Sequence, residues 1–262
     1  MARDVGKAKE GNREMEEERK TRDHNREFQD NAGRRYAYDF DVVLRKYLVR
    51  TFVPYVRPDG ATLELGCFRG DMTELILELT GKVSIIEAAS ELAVVVRERF
   101  GERVSVMTAS FEEAEVSERF DNVFLVHGLE HLDDPVLVLG RAGRWLAPGG
   151  RLLVAVPNAN ALSRQIAVRM GLIDFNSAVT LAEREQGHRF TYSSDTLRHH
   201  LRAAGLKIVA EGGVLVKPLA NVQFDRALDA GVVDQGYLDG CYELGRLYPD
   251  LCASLYAICE RE

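Results

Sequence analysis

Four cysteines, Cys67, Cys241, Cys252 and Cys259, are all the thiols in 262 residues, and none sits in a C-x-x-C pair or at a metal-ligand interval from a histidine. That spacing excludes a zinc ribbon or a disulfide framework and reads as free thiols in a reducing cytoplasm. No window approaches the roughly 18 apolar residues of a membrane span, and the charged first residues lack the apolar stretch of a secretory leader. A cytoplasmic protein with no membrane association is the expectation. Excess positive charge is lacking as well: Lys and Arg number 34 against 41 Asp and Glu, for a net charge of −7. A general attraction to nucleic acid is therefore not expected, although a local basic patch stays open. There is no internal repeat, and no low-complexity stretch beyond the charged start.

With 46% hydrophobic and 29% charged residues, the composition is that of an ordinary globular domain, and the length suits one α/β domain with insertions. Residues 1–27 read as a solvated, charged tail and 28–262 as the domain. Within it, Phe28, Tyr36, Tyr38, Phe40, Val43, Leu44, Tyr47, Leu48 and Phe52 make the stretch 28–56 an aromatic-rich amphipathic segment, most of whose face must pack on the domain. Pro54, Pro58, Asp59 and Gly60 then break it.

Thr62–Gly70, TLELGCFRG, is the stretch around which the rest is organised. Leu63 and Leu65 alternate with Glu64 in a short strand, and Gly66 and Gly70 bracket a turn into the helical run DMTELILELTG. A strand delivering a glycine turn to a helix is how doubly wound α/β proteins hold nucleotide-like ligands. The dinucleotide fingerprint G-x-G-x-x-G is missing its middle glycine, because Phe68 occupies that place. Glu64 near the turn would also repel a phosphate, so a cationic ligand fits better.

About twenty positions beyond Gly66, the run KVSIIEAA ends in Glu87, placed to accept hydrogen bonds from ribose hydroxyls, or else simply a charge near the next helix start. ASELAVVVRERF reads as a crossover helix and RVSVMTAS as a third strand, followed by Ser110, Phe111 and Glu112. FDNVFLVHGLEHLDDP forms a buried fourth strand ending at His127 before a helix led by Asp134 and Pro135. Strand four adjoins strand one at the switch point, which sets Val126, His127, Gly128, Glu130 and His131 against the ligand. Pro148, Gly149 and Gly150 close that helix and launch strand five. Residues 159–187 and 217–250 are insertions. The first is expected to roof the pocket; the second, with two helical patterns, covers the pocket or makes a homodimer contact. His188 follows the first insertion, where an acceptor would enter, whereas His199 and His200 lie inside a helix capped by Ser193 or Ser194 and read as structural or exposed. LKIVAEGGVLV and CASLYAICE supply two last strands.

Taken in order, ELGCFRG, IIEA, FDNVFLVHGLEHLDDP, LAPGG and GHRFTYSSDTLRHHLRAAGLKIV resemble the class I S-adenosylmethionine (SAM) methyltransferases of the UbiE/UbiG-like branch, over about residues 60–212. The resemblance implies a doubly wound, Rossmann-like seven-stranded sheet with its last strand antiparallel, a helical N-terminal lid and substrate-side insertions. It implies S-adenosyl-L-methionine as cofactor, S-adenosyl-L-homocysteine as product, and Glu64, Gly66, Cys67, Gly70, Glu87, Ala88, Ser110, Phe111, Val126 and His127 as the cofactor site. Ser110 stands where the family offers an acid to adenine, leaving the amide and ring of Phe111 to cover the base. Tyr36, Tyr38 and His188 are implied on the substrate side.

Methyl transfer to a hydroxyl needs a general base or a metal, while an amine reacts as its free base once positioned. His127, His131 and His188 are the candidate bases, with Glu130 as an orienting partner. Asp133 and Asp134 are better explained by helix capping, so no metal is expected. The expected partner is a small-molecule acceptor of the kind met in natural-product, antibiotic or sugar tailoring, methylated on oxygen. Transfer to nitrogen or carbon, or to a protein or tRNA, remains an alternative, as does a non-catalytic binding protein or a nicotinamide enzyme.

Overall fold

In the computed structural model, the residues described are Asn25, Gln29 and 39–262. Asn25 and Gln29 are helical, and the helix α1 (Asp39–Phe52) forms where Phe40, Leu44, Leu48 and Phe52 recur every four residues, and all four are buried. Pro54 ends it in a single 3-10 turn. Strand β1 (Thr62–Leu65) is buried throughout and leads into α2 (Asp71–Thr80). Then follow β2 (Val83–Glu87), α3 (Ser90–Phe100), β3 (Val104–Thr108), β4 (Phe120–Val126), α4 (Pro135–Trp145) and β5 (Leu146–Pro157). The roofing insertion carries α5 (Leu162–Arg169) and α6 (Leu181–Glu185); α7 (Ser194–Ala203) and β6 (Leu206–Val216) succeed it. Residues 217–250 contain α8 (Asn221–Asp229) and α9 (Gln235–Leu247), and β7 (Cys252–Arg261) closes the sheet.

The seven strands run in the order β3-β2-β1-β4-β5-β7-β6, with β7 antiparallel to both neighbours and the remaining pairs parallel. Order reverses between β1 and β4, so the crevice opens over their carboxyl ends. Side-chain alternation divides the core. Val123, Leu125, Leu152, Val154 and Val156 pack with Leu139, Trp145 and Leu201 on one face, while Phe124, Leu153 and Ala155 pack with Leu48, Phe52 and Ile76 on the other.

The Pro148-Gly149-Gly150 stretch departs from expectation. Helix α4 has already ended at Trp145, and Leu146 already pairs with Phe120 while Arg151 pairs with Asn122. The glycines therefore make an irregularity inside β5 instead of a helix stop. Only glycine fits at 150, since a Cβ there would lie 2.5 Å from the Phe120 carbonyl oxygen.

The lid reading also changes. The described part of 28–56 is core: Phe40 meets Phe224 of α8 with ring centroids 4.7 Å apart, and its amide donates to the buried Asp225 carboxylate at 2.9 Å. Only the first turn and a half of α1, with Phe40, Asp41, Leu44 and Arg45, faces the crevice. Residues 217–250 thus pack within the chain, on α1 and β6, with Tyr47 and Arg50 of α1 both bonded to Asp239 of α9. Asn25, inside the stretch read as tail, bonds the Ser90 hydroxyl at 2.9 Å at the start of α3. Tyr36 and Tyr38 lie outside the described residues. No helix among the described residues is long and apolar enough to cross a membrane.

Candidate active site

A cavity of about 700 Å³ lies over the carboxyl ends of β1, β2 and β4 and reaches under the insertion at 159–187. Its donor-side wall is the turn after β1. Gly66 sits at φ +78°, and a Cβ there would come within 3.3 Å of the Phe111 ring. Gly70, at φ +90°, caps α2, and a Cβ would strike Phe100 at 2.5 Å. Between them Phe68 takes φ +46°, a left-handed backbone that a middle glycine would have adopted without strain.

Glu87 locks this turn to the end of β2. Its Oε2 accepts from the Cys67 amide at 3.0 Å and, more weakly, from the Phe68 amide at 3.4 Å, while Oε1 accepts from the Ala89 amide at 2.9 Å. A carboxylate has about four acceptor positions, so capacity remains for hydroxyls. Ser110 donates its hydroxyl to Glu113 at 3.1 Å.

Gly66, Cys67, Glu87, Ala88, Ser110, Phe111, Val126, His127, His131 and His188 all line the one cavity. Glu64 and Gly70 do not. Glu64 is 2% exposed, with Oε2 held by the Thr73 hydroxyl at 2.6 Å and Oε1 without a partner, and burial raises its pKa to about 8. Gly70 acts one step back, as the helix cap.

At the other end, β4 finishes at Val126 and His127 follows at φ +51°. Its Nε2 lies 2.8 Å from the Ser254 hydroxyl of β7, and burial, together with nearby Arg45, lowers its pKa to about 3. A 3-10 turn, Leu129–His131, follows. There the buried Glu130 has its pKa raised to about 8 by desolvation, with Oε2 lacking a partner. The Glu130 carbonyl accepts from the Arg189 amide at 2.8 Å and the Phe190 amide at 3.3 Å, pinning the chain that carries His188. Gly187, at φ +86°, lets that chain turn, and the His131 and His188 rings meet edge to face with centroids 4.6 Å apart. Burial lowers the His188 pKa, so both imidazole nitrogens of a neutral ring are available for one donor and one acceptor role. His200, by contrast, bonds the buried Tyr192 hydroxyl at 3.2 Å and belongs to the packing of α7, whose cap is Ser193.

Three cations complete the wall, and sequence reasoning passed over all of them. Arg45 of α1 has Nη1 buried without a hydrogen-bond partner and 3.8 Å from the Asp71 carboxylate. Arg164 of α5 is paired with Glu183 of α6 at 2.5 Å and bonds the carbonyls of Asn176 and Ala178, so it stitches the roof together. Lys217, 6% exposed at the end of β6, bonds Asn221 and lies 4.3 Å from the Phe40 ring centre, with desolvation lowering its pKa to about 8 against the pull of Asp41 and Asp225. Lys217 could have been found, because it stands at a strand's carboxyl end. Arg45 carried the weaker signal of a cation one turn after Asp41 on a helix whose other face is apolar.

A seven-stranded sheet with reversed β7 and a cavity over its switch point is the class I methyltransferase fold. Comparison with known proteins agrees. The family described as "Methyltransferase domain" matches residues 25–211. A ubiquinone biosynthesis O-methyltransferase of Xanthomonas axonopodis pv. citri (strain 306) is 29% identical over 173 residues, 63% of this chain and 71% of that protein. Its namesake from Rhodopseudomonas palustris (strain BisB5) is 27% identical over 164 residues, 61% of this chain and 63% of that one. The solved structure of the N-methyltransferase NodS from Bradyrhizobium japonicum WM9 in complex with S-adenosyl-L-homocysteine superposes with a TM-score of 0.54 at 15% identity, covering 87% of this chain and 91% of NodS. Burkholderia thailandensis 1,6-didemethyltoxoflavin-N1-methyltransferase gives 0.54 at 18% identity, covering 85% and 80%. At such identities the structural likeness is one of fold. The chain belongs to the methyltransferase-domain family and is a class I SAM-dependent enzyme of UbiE/UbiG-like type.

Proposed function

We propose that the enzyme methylates a hydroxyl of a small metabolite, of the kind modified in natural-product or sugar tailoring, in the cytoplasm. The observation that carries this is the division of one cavity into a glycine-turn end and a histidine end. S-adenosyl-L-methionine supplies a methyl group on a sulfonium, which an oxygen lone pair displaces to leave S-adenosyl-L-homocysteine.

The residues present fit that donor. The cradle at Gly66 is one that a side chain would fill, and Glu87 retains acceptor capacity for the ribose diol. Phe111 covers the adenine side, and the orphaned Nη1 of Arg45 suits the α-carboxylate. Cys67, Ala88, Ser110 and Val126 complete the walls. No phosphate-binding middle glycine is present, which disfavours a nicotinamide ligand.

On the acceptor side a hydroxyl must lose its proton. His127, with a pKa near 3 and its Nε2 engaged by Ser254, is a weak base at neutral pH. His131 and His188, facing each other beneath the insertion, are the groups we assign to that step. The roof formed by 159–187 and the volume of about 700 Å³ favour a small acceptor over tRNA or protein, and the O-methyltransferase relatives favour oxygen over nitrogen or carbon. Radiolabelled methyl transfer from SAM into a metabolite extract tests this reading. Label in an ether-linked small product supports it, and label confined to protein or RNA contradicts it.

A further inference from the structure

One buried cation in the cavity has no part in the chemistry assigned so far. Lys217 is 6% exposed and lines the cavity where β6 gives way to the second insertion. An ammonium has three donor hydrogens; Lys217 gives one to Asn221 Oδ1 and lies 4.3 Å from the centre of the Phe40 ring. Asp41 and Asp225 attract it, yet Lys217 forms no ion pair among the described residues, and burial outweighs their pull. Both carboxylates have work elsewhere: Asp225 accepts from the Phe40 amide at 2.9 Å and Asp41 from the Asn221 side-chain amide at 3.2 Å. A cation taken out of water without a counter-ion is costly, and such groups are as a rule paired.

The other two cations of the wall are accounted for. Arg164 is spent on Glu183 and on the carbonyls of Asn176 and Ala178, and Arg45 is assigned to the donor's carboxylate. Lys217 is also well placed to meet an acceptor. Its carbonyl accepts from the Ser163 amide at 3.0 Å, which ties the end of β6 to the start of the roofing helix α5. Helix α8 begins at Asn221 with no side-chain cap, and Ala220 and Asn221 line the same cavity. An uncapped helix start adds partial positive charge beside the ammonium.

We propose that Lys217 binds a carboxylate on the methyl acceptor, which is thus a small hydroxy acid held at its acid end by Lys217 and at its hydroxyl by His131 and His188. One ammonium matches one negative charge, and the nearby Asp41 and Asp225 disfavour a phosphate dianion. Phe40, Leu44, Ala167 and Ile173 supply apolar lining for the carbon skeleton. The identity of the bound acid as methyl acceptor rests on the hydroxyl reading above; the anion site at Lys217 does not.

Two measurements test it. In the first, a metabolite extract is incubated with the wild-type enzyme and radiolabelled SAM, and the labelled product is passed over an anion exchanger at pH 7. A small product that is retained, and stays retained after phosphatase treatment, supports the proposal; one that runs through as neutral, or is released by phosphatase, overturns it. With the parent of the retained product as substrate, Lys217→Met should raise KM on the order of 10²-fold with kcat nearly unchanged, and Lys217→Arg should recover most of the loss. An unchanged KM in Lys217→Met overturns the assignment. The second measurement needs no transfer. Acetate is titrated into the full chain saturated with S-adenosyl-L-homocysteine, which fills the donor's own carboxylate site, and the melting temperature is followed at one ionic strength with acetamide as the neutral control. Acetate should stabilise the wild type and not Lys217→Met; equal shifts in both, or none in the wild type, overturn the anion site. Stabilisation through Lys217 without any labelled small product supports the anion site and overturns the hydroxyl reading instead.

Discussion

The two ends of the cavity are made in different ways. Apart from Arg45 on α1, the donor end comes from one stretch, residues 62–128, in which each strand hands its last residues to the crevice: Gly66 and Cys67 after β1, Glu87 and Ala88 after β2, Ser110 and Phe111 after β3. The acceptor end is gathered from Glu130 and His131 after β4, Arg164 and His188 from the roof, Lys217 after β6 and Ser254 on β7. A local turn with fixed backbone geometry holds the donor end, and long-range ion pairs and burial hold the other. The lesson is that affinity for the donor and reactivity toward the acceptor are separable, and substitutions at one end should leave the other's readout in place.

The largest expected effect is at Gly66. Gly66→Val puts a branched side chain at φ +78° and against the Phe111 ring, and S-adenosyl-L-homocysteine binding should fall by ~100-fold or more in calorimetry. A retained Kd would break the comparison at its donor end. His188→Ala is the reciprocal change: turnover should drop on the order of 10²-fold with donor Kd unchanged, by single-turnover kinetics on a responsive acceptor. If both parameters moved together, the two ends would not be separable.

Glu87→Gln sharpens the donor side. The amide keeps one acceptor oxygen of the three backbone contacts and loses the charge, so donor affinity should fall about tenfold while kcat at saturating donor stays near the wild-type value.

Lys217 gives the smallest effect and tests the acceptor wall through pH. Its folded pKa, about 8, lies below the 10.5 of an unstrained lysine because of burial. Below pH 8 folded and unfolded chains both carry the proton, and the folded chain bears the buried charge. Between pH 8 and about 10.5 the unfolded chain binds more protons, so stability rises with pH. Lys217→Met should therefore raise the melting temperature at pH 7 by a few degrees, roughly 2–4 °C per kcal/mol, and the gain should shrink toward pH 10. A gain that grew with pH would contradict the burial argument.

This contrast also explains what could be read from residues alone. The glycine turn, Glu87 and the β4 terminus were legible because their spacing is local and period-2 alternation places them at strand ends. Phe68 was read correctly as a missing glycine, yet its left-handed backbone was invisible, since only the fold forces φ +46° on a bulky residue. Glu64 looked exposed to the ligand because alternation gives a face but not what covers it; Thr73, nine positions on, turns it inward. Pro148-Gly149-Gly150 looked like a helix stop because turn residues announce a bend without saying which element owns it. Among the cations, Lys217 was missed because its meaning lies in Phe40, more than a hundred residues away, Arg164 because its partners are spread across the insertion, and Arg45 because it reaches the crevice only through the way α1 packs.

The separation of donor binding from acceptor chemistry is tested most directly by calorimetric titration of S-adenosyl-L-homocysteine into the wild type, Gly66→Val and His188→Ala proteins under one set of conditions. One site per chain with equal affinity in wild type and His188→Ala, and no measurable heat in Gly66→Val, is the predicted result. Silence from the wild type, or equal binding by Gly66→Val, would contradict the account.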